Sequence, residues 1–81
     1  MKSIVFAPAA AKQFDALLLA AQEAIEGALA RYAVDGRGDV KRLTGRDGLR
    51  MRVGDYRVLF DEDGATIIAV FIGRRTTNTY S

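Results

Sequence analysis

The sequence predicts an α+β domain of order β-α-α-β-β-β, an antiparallel sheet with a helical pair packed on one face. Three observations lead there. Apolar residues recur at helical spacing between residues 8 and 33. After residue 48 the pattern switches to strict alternation, and turn residues punctuate that half at short intervals. At 81 residues the chain has room for one domain, taken as 1–81.

Ser3 to Ala7 is a short apolar run with β-branched Ile4 and Val5, and it reads as a first strand. Pro8 suits the first turn of a helix, where its missing N–H does no harm. Phe14, Leu17, Leu18, Ala21, Ile25, Ala28, Leu29 and Tyr32 then form one apolar stripe. A single helix over the whole stretch, at ~1.5 Å per residue, would be too long for so small a domain. A helical hairpin turning near Leu19 to Glu23 is therefore expected. Asp35-Gly36-Arg37-Gly38-Asp39 breaks the helical part. Val40 to Leu43 reads as a short extended piece, followed by a loop over Thr44 to Gly48. Leu49 to Val53, Tyr56 to Phe60 and Thr66 to Ile72 read as three strands. Gly54-Asp55 and Asp61-Glu62-Asp63-Gly64 supply the turns between them.

The chain has no Cys and no His. Disulfides, thiolate metal sites, triad hydrolysis and His-ligated zinc are thereby excluded. Any chemistry must use Arg, Lys, Tyr, Asp or Glu. The apolar runs at 16–21 and 67–72 fall far short of the ~18 residues of a membrane span. The amino-terminal apolar stretch is also too short for a secretory leader. A cytoplasmic protein without a membrane partner is expected.

Charge is unevenly placed. Residues 1–36 hold three basic groups against four acidic ones, whereas residues 37–81 hold nine against six. Nearly all the basic groups of the second half are Arg, whose planar fork suits phosphate and carboxylate. The asymmetry points to a polyanionic partner.

A turn at Gly54-Asp55 stands Val53 opposite Tyr56 and therefore Arg52 opposite Arg57. Alternation then gathers Leu49, Met51, Val53, Tyr56, Val58 and Phe60 on one face. The other face receives Arg50, Arg52 and Arg57, with Leu59. Like charges directly opposite destabilise a sheet by up to ~1 kcal/mol. Either Asp47, Asp55 or Asp61 neutralises the cluster locally, or it is an anion site. The last strand brings Arg74 or Arg75 towards it, with the register deciding which. Tyr80 follows close by, either pinning the carboxy terminus or serving the site.

Lys41-Arg42-Leu43-x-Gly45, the run Leu49-Arg50-x-Arg52-Val53-Gly54-Asp55-Tyr56-Arg57-Val58 and the ending Ile72-Gly73-Arg74-Arg75 with Tyr80 resemble the RelE/ParE toxin superfamily of bacterial type II toxin–antitoxin systems. The resemblance spans nearly the whole chain and is nearer the RelE-like branch. That branch consists of ribosome-dependent endoribonucleases that cut mRNA in the A site. The resemblance implies catalytic roles for Arg50, Arg52, Arg57, Arg75 and Tyr80, and RNA binding by Lys41, Arg42, Arg46 and Arg74. It implies metal-free attack of a ribose 2′-OH on the adjacent phosphate, with no cofactor. Arg57 and Arg75 would stabilise the phosphorane, Tyr80 would orient or deprotonate the 2′-OH, and Arg50 and Arg52 would tune Tyr80 or assist the leaving oxygen. Two departures stand out: Arg occupies positions where RelE-like enzymes commonly carry Lys, and only Ser81 follows Tyr80. The implied partners are an acidic cognate antitoxin, the ribosome with its mRNA and, through the antitoxin alone, operator DNA. The alternatives are a ParE-like, non-catalytic DNA gyrase poison and a degenerate relative that only binds its antitoxin.

Overall fold

The computed structural model describes residues 1–74. In chain order the elements are β1 (Ser3–Phe6), α1 (Pro8–Asp15), α2 (Leu19–Asp35), β2 (Val40–Arg42), β3 (Leu49–Val53), β4 (Tyr56–Glu62) and β5 (Thr66–Arg74). The strands form one sheet of order β1-β5-β4-β3-β2. The expected α+β class and helical pair are present. The piece at Val40–Arg42 is a full partner of β3, with Val40 opposite Met51 and Lys41 opposite Arg50.

Four strands run antiparallel, as expected, but β1 joins β5 in parallel, Ser3 facing Thr66 and Phe6 facing Ala69. The short helical pair carries the chain back across one face of the sheet, so β1 and β5 can point the same way. Nothing in the local sequence of Ser3 to Phe6 announces this direction.

The helices part earlier than expected. Residues 16–18 separate α1 from α2, ahead of the predicted Leu19 to Glu23. The Leu17 N–H bonds the Phe14 carbonyl at 3.0 Å, and the Gln22 side-chain amide donates to that same carbonyl at 2.9 Å. Gln22 thus gives a carbonyl at the end of α1 a second donor and ties the first turn of α2 to it. Extended backbone at Leu18 (φ −63°, ψ 152°) then starts α2 without help from Gly or Pro. At its far end α2 stops at Gly36, whose φ of 75° is the left-handed cap conformation that glycine adopts without strain.

The core lies between the helices and one sheet face. Ile25, Leu29 and Ala33 recur four residues apart on α2 and pack against Met51, Val58, Phe60, Ile67, Ala69 and Ile72. Edge-on aromatic pairs, Phe6–Phe14 and Tyr32–Phe60, flank it at 5.0 and 5.4 Å. β5 outruns β1, and there the Ile72 N–H donates instead to Gln13 Oε1 of α1 at 2.7 Å. The helical pair covers this face alone, and among the described residues no element packs on the opposite face of β2-β3-β4-β5.

Candidate functional site

The β3–β4 hairpin has the register expected from its turn: Val53 pairs with Tyr56, Arg52 with Arg57, Met51 with Val58, Arg50 with Leu59 and Leu49 with Phe60. Gly54 makes the turn with φ 56°. Met51, Val58 and Phe60 are buried against the helices. Alternation therefore sends Arg50, Arg52 and Arg57 to the open face. Lys41 joins them, because it stands opposite Arg50 on β2. The face thus carries two cationic cross-strand pairs, Lys41–Arg50 and Arg52–Arg57. Neighbouring strands are ~4.8 Å apart, so four positive groups on three strands share a patch about 10 Å across.

Arg52 has a counter-charge. Its Nε lies 3.5 Å from Asp39 Oδ2, both side chains being more than half exposed, and the Arg52 N–H bonds the Asp39 carbonyl at 2.9 Å. Asp39 faces Arg52 one step before β2 begins, a position the sequence did not single out. None of Asp47, Asp55 and Asp61 takes that role. Among the described residues no carboxylate pairs with Lys41, Arg50 or Arg57. Arg57 is half-buried, and its Nε is buried without a hydrogen-bond partner among the described residues. A buried donor left open is costly, by ~1–3 kcal/mol.

The other expected residues separate from this patch. Arg74 stands opposite Tyr56, on the helix-side face, and its guanidinium lies 5.7 Å from the centre of the Tyr56 ring. Arg42 faces the same side, opposite Leu49, in a polar cleft with Tyr32 and Glu62. There Glu62 accepts hydrogen bonds from Lys2 Nζ and the Tyr32 hydroxyl. The Lys2 bond, then the Tyr32 bond, lowers the Glu62 pKa below its usual 4.5. The bond to Glu62 and then burial push Tyr32 up to about 12. Arg46 is exposed in the β2–β3 loop. Arg75 and Tyr80 lie outside the described residues.

One further side chain on the open face escaped the sequence reading. Between Leu59 and Phe60 the β4–β5 pairing shifts register, with Leu59 opposite Phe71 but Phe60 opposite Ala69. This bulge resets the alternation of β5. Ile67, Ala69 and Ile72 are buried and Phe71 is turned out, 38% exposed. Uninterrupted alternation from Ile67 would have hidden Phe71 and exposed Ile72. The signal was available at the far end of the strand, where Ile72 and Arg74 are in phase with each other and out of phase with Ile67.

Residues 2–78 match the family described as ParE toxin of the type II toxin-antitoxin system, parDE. No match was found among curated proteins. Among solved structures, the chain is similar to the RelE-RelB complex of Pyrococcus horikoshii OT3 at a TM-score of 0.77 and 21% identity, over 95% of this chain and 98% of the other. The YoeB dimer of Staphylococcus aureus aligns at 0.73 and 16%, over 95% and 98%. The RelB-RelE complex of Methanococcus jannaschii aligns at 0.72 and 21%, over 86% and 88%. At these identities the structural likeness speaks for the fold.

Proposed function

From the premise that the chain belongs to the ParE toxin family of type II toxin–antitoxin systems, we propose that it is an endoribonuclease that cleaves mRNA on the ribosome. The observation that carries this reading is the open sheet face. Lys41, Arg50 and Arg57 gather there without a carboxylate partner among the described residues, around a buried, unpartnered Arg57 Nε. A structural surface would alternate sign across the strands. A site for a phosphate that gains negative charge would not.

In the proposed reaction the ribose 2′-oxygen forms a bond to the adjacent phosphorus and the bond to the 5′-oxygen breaks. The 2′-OH gives up its proton, and the leaving oxygen takes one. Arg57 and Arg75 stabilise the more highly charged phosphorane, as an oxyanion hole would. Tyr80 orients or deprotonates the 2′-OH. Arg50 and Arg52 stabilise charge but cannot serve as bases at neutral pH, since guanidinium does not give up its proton there. Lys41 and Arg46 hold the flanking backbone of the RNA. Arg42 and Arg74, on the other face, are assigned a weaker, longer-range share in attracting it.

The proposed partner is an antitoxin with an acidic, amphipathic segment, operator DNA being reached through it. Two grooves flank α2: one sets Ala28, Met51 and Val53 among the charged Arg31, Arg37 and Arg52, and the other, lined by Ile4, Phe6 and Leu29 with Glu26 at its side, is the more apolar. Similar chains in solved structures are complexes of RelE with RelB. The family match itself favours a second reading, a ParE-like gyrase poison that catalyses nothing.

Primer extension on mRNA, with and without ribosomes, tests the first reading, and gyrase supercoiling run in parallel tests the second. Ribosome-dependent cuts lost in Arg57→Ala and slowed ~10²-fold in Tyr80→Phe are the expected result. Intact mRNA together with inhibited supercoiling would transfer the chain to the second reading.

A further inference from the structure

The reading above leaves Phe71 unused, although it is the exposed aromatic nearest Arg57 in the sheet register. It projects from the middle of β5, between buried Ala69 and Ile72, so a strand rather than a loop holds it. Its ring leans forward along the strand over Gly73. A Cβ at position 73 would come within 2.8 Å of Phe71 Cε2 and 2.9 Å of Cζ. Gly73 is in turn the direct cross-strand neighbour of Arg57. The ring thus fills the space in front of the residue that stands directly opposite Arg57 on β4.

A flat apolar ring beside several cations calls for a ligand that alternates anionic groups with π faces. Single-stranded nucleic acid has that alternation, because each phosphate is followed by a base whose face can stack on an aromatic side chain. An acidic helix offers the charges but not the flat faces. We propose that Phe71 is the stacking platform for the base adjacent to the phosphate held by Arg57, and that Gly73 keeps the ring in place by having no side chain. The proposal rests on the reading of the cationic face as an RNA site and adds the contact that would hold a base there.

The test uses the full chain at low ionic strength and two fluorescein-labelled probes of equal length. One is a single-stranded RNA, and the other is the same sugar-phosphate chain without bases. Stacking contributes on the order of tenfold in affinity per base. Wild type should therefore prefer the RNA, and Phe71→Leu should lose about tenfold on RNA while binding the abasic probe unchanged. Phe71→Trp should keep the preference. Gly73→Ala should lose it as Phe71→Leu does, because the new methyl group displaces the ring. Arg57→Ala should weaken both probes. Equal affinity of wild type for the two probes, or equal losses on both in Phe71→Leu, would overturn the proposal. Primer extension separates its fate from that of the nuclease reading. Cleavage without a base preference would sink the stacking alone. A Phe71-dependent preference without cleavage would keep the stacking and sink the nuclease.

Discussion

At the scale of single residues, Arg57 and Asp39 act in opposite directions on the same patch. Arg57 faces a like charge in Arg52 and has a buried, unpartnered Nε, so its removal relieves two unfavourable features of the fold. Arg57→Ala should therefore melt at or above the wild-type temperature while losing on the order of 10²–10³ in cleavage rate. A variant that unfolds would recast Arg57 as a structural residue. Asp39→Asn does the reverse at little structural cost, since its ion pair with Arg52 is exposed on both sides. Freed of that counter-charge, the patch should bind RNA more tightly, and unchanged affinity in a titration would mean that Arg52 stands apart from the site. The sheet register also separates Arg74 from the cluster. Which face Arg74 takes depends on a strand pairing that sequence alone leaves open.

At the scale of elements, Glu62 ties three of them together. Lys2 lies beside β1, Tyr32 on α2 and Glu62 at the end of β4. Because its folded pKa lies below the unfolded one, Glu62 stabilises the fold above the unfolded value. That contribution is lost as pH falls from about 4.5 through the lowered pKa. Tyr32 behaves oppositely. Its pKa is raised from 10.0 to about 12, so its contribution is present below pH 10 and lost as pH rises towards 12. Melting curves of Tyr32→Phe should be flatter than wild type across that alkaline interval, and those of Glu62→Gln flatter on the acid side. Parallel curves for variant and wild type would show the hydrogen bonds to be energetically idle. Local pattern made the β3–β4 hairpin legible, because alternation and a Gly-first turn agree on one register. It failed at the helix boundary, where Ala16 to Leu18 carries no breaker and the Gln22–Phe14 bond decides. It failed again at Phe71, where one bulge exchanges the two faces of β5. Arg50, Arg52 and Arg57 were readable together since they lie within one hairpin, whereas Lys41 enters from β2 and Asp39 from the position just before it.

At the scale of the molecule, the charge asymmetry should govern association. Each cluster residue replaced should lower the salt dependence of RNA binding by about 0.7 in the log–log slope. A slope unchanged in Arg50→Ala would exclude that residue from phosphate contact. An acidic antitoxin covering the patch should raise the melting temperature, by an amount that grows with the logarithm of its concentration over its dissociation constant. Co-purification with no such rise would place its footprint away from the cluster. The parallel pairing of β1 with β5 has a further consequence for how the protein comes into being. During synthesis β1 is the first element made, and it waits for one of the last, since Ser3 finds its partner only at Thr66. The closing step is therefore the slowest class of contact to form, a long-range strand pairing whose loop-closure cost comes before its reward. Until β5 is made, β1 has no partner and the hairpin bearing the arginines is flanked by β2 alone. In a chain of this design the cationic face gains both of its flanking strands only after the last described strand has been made.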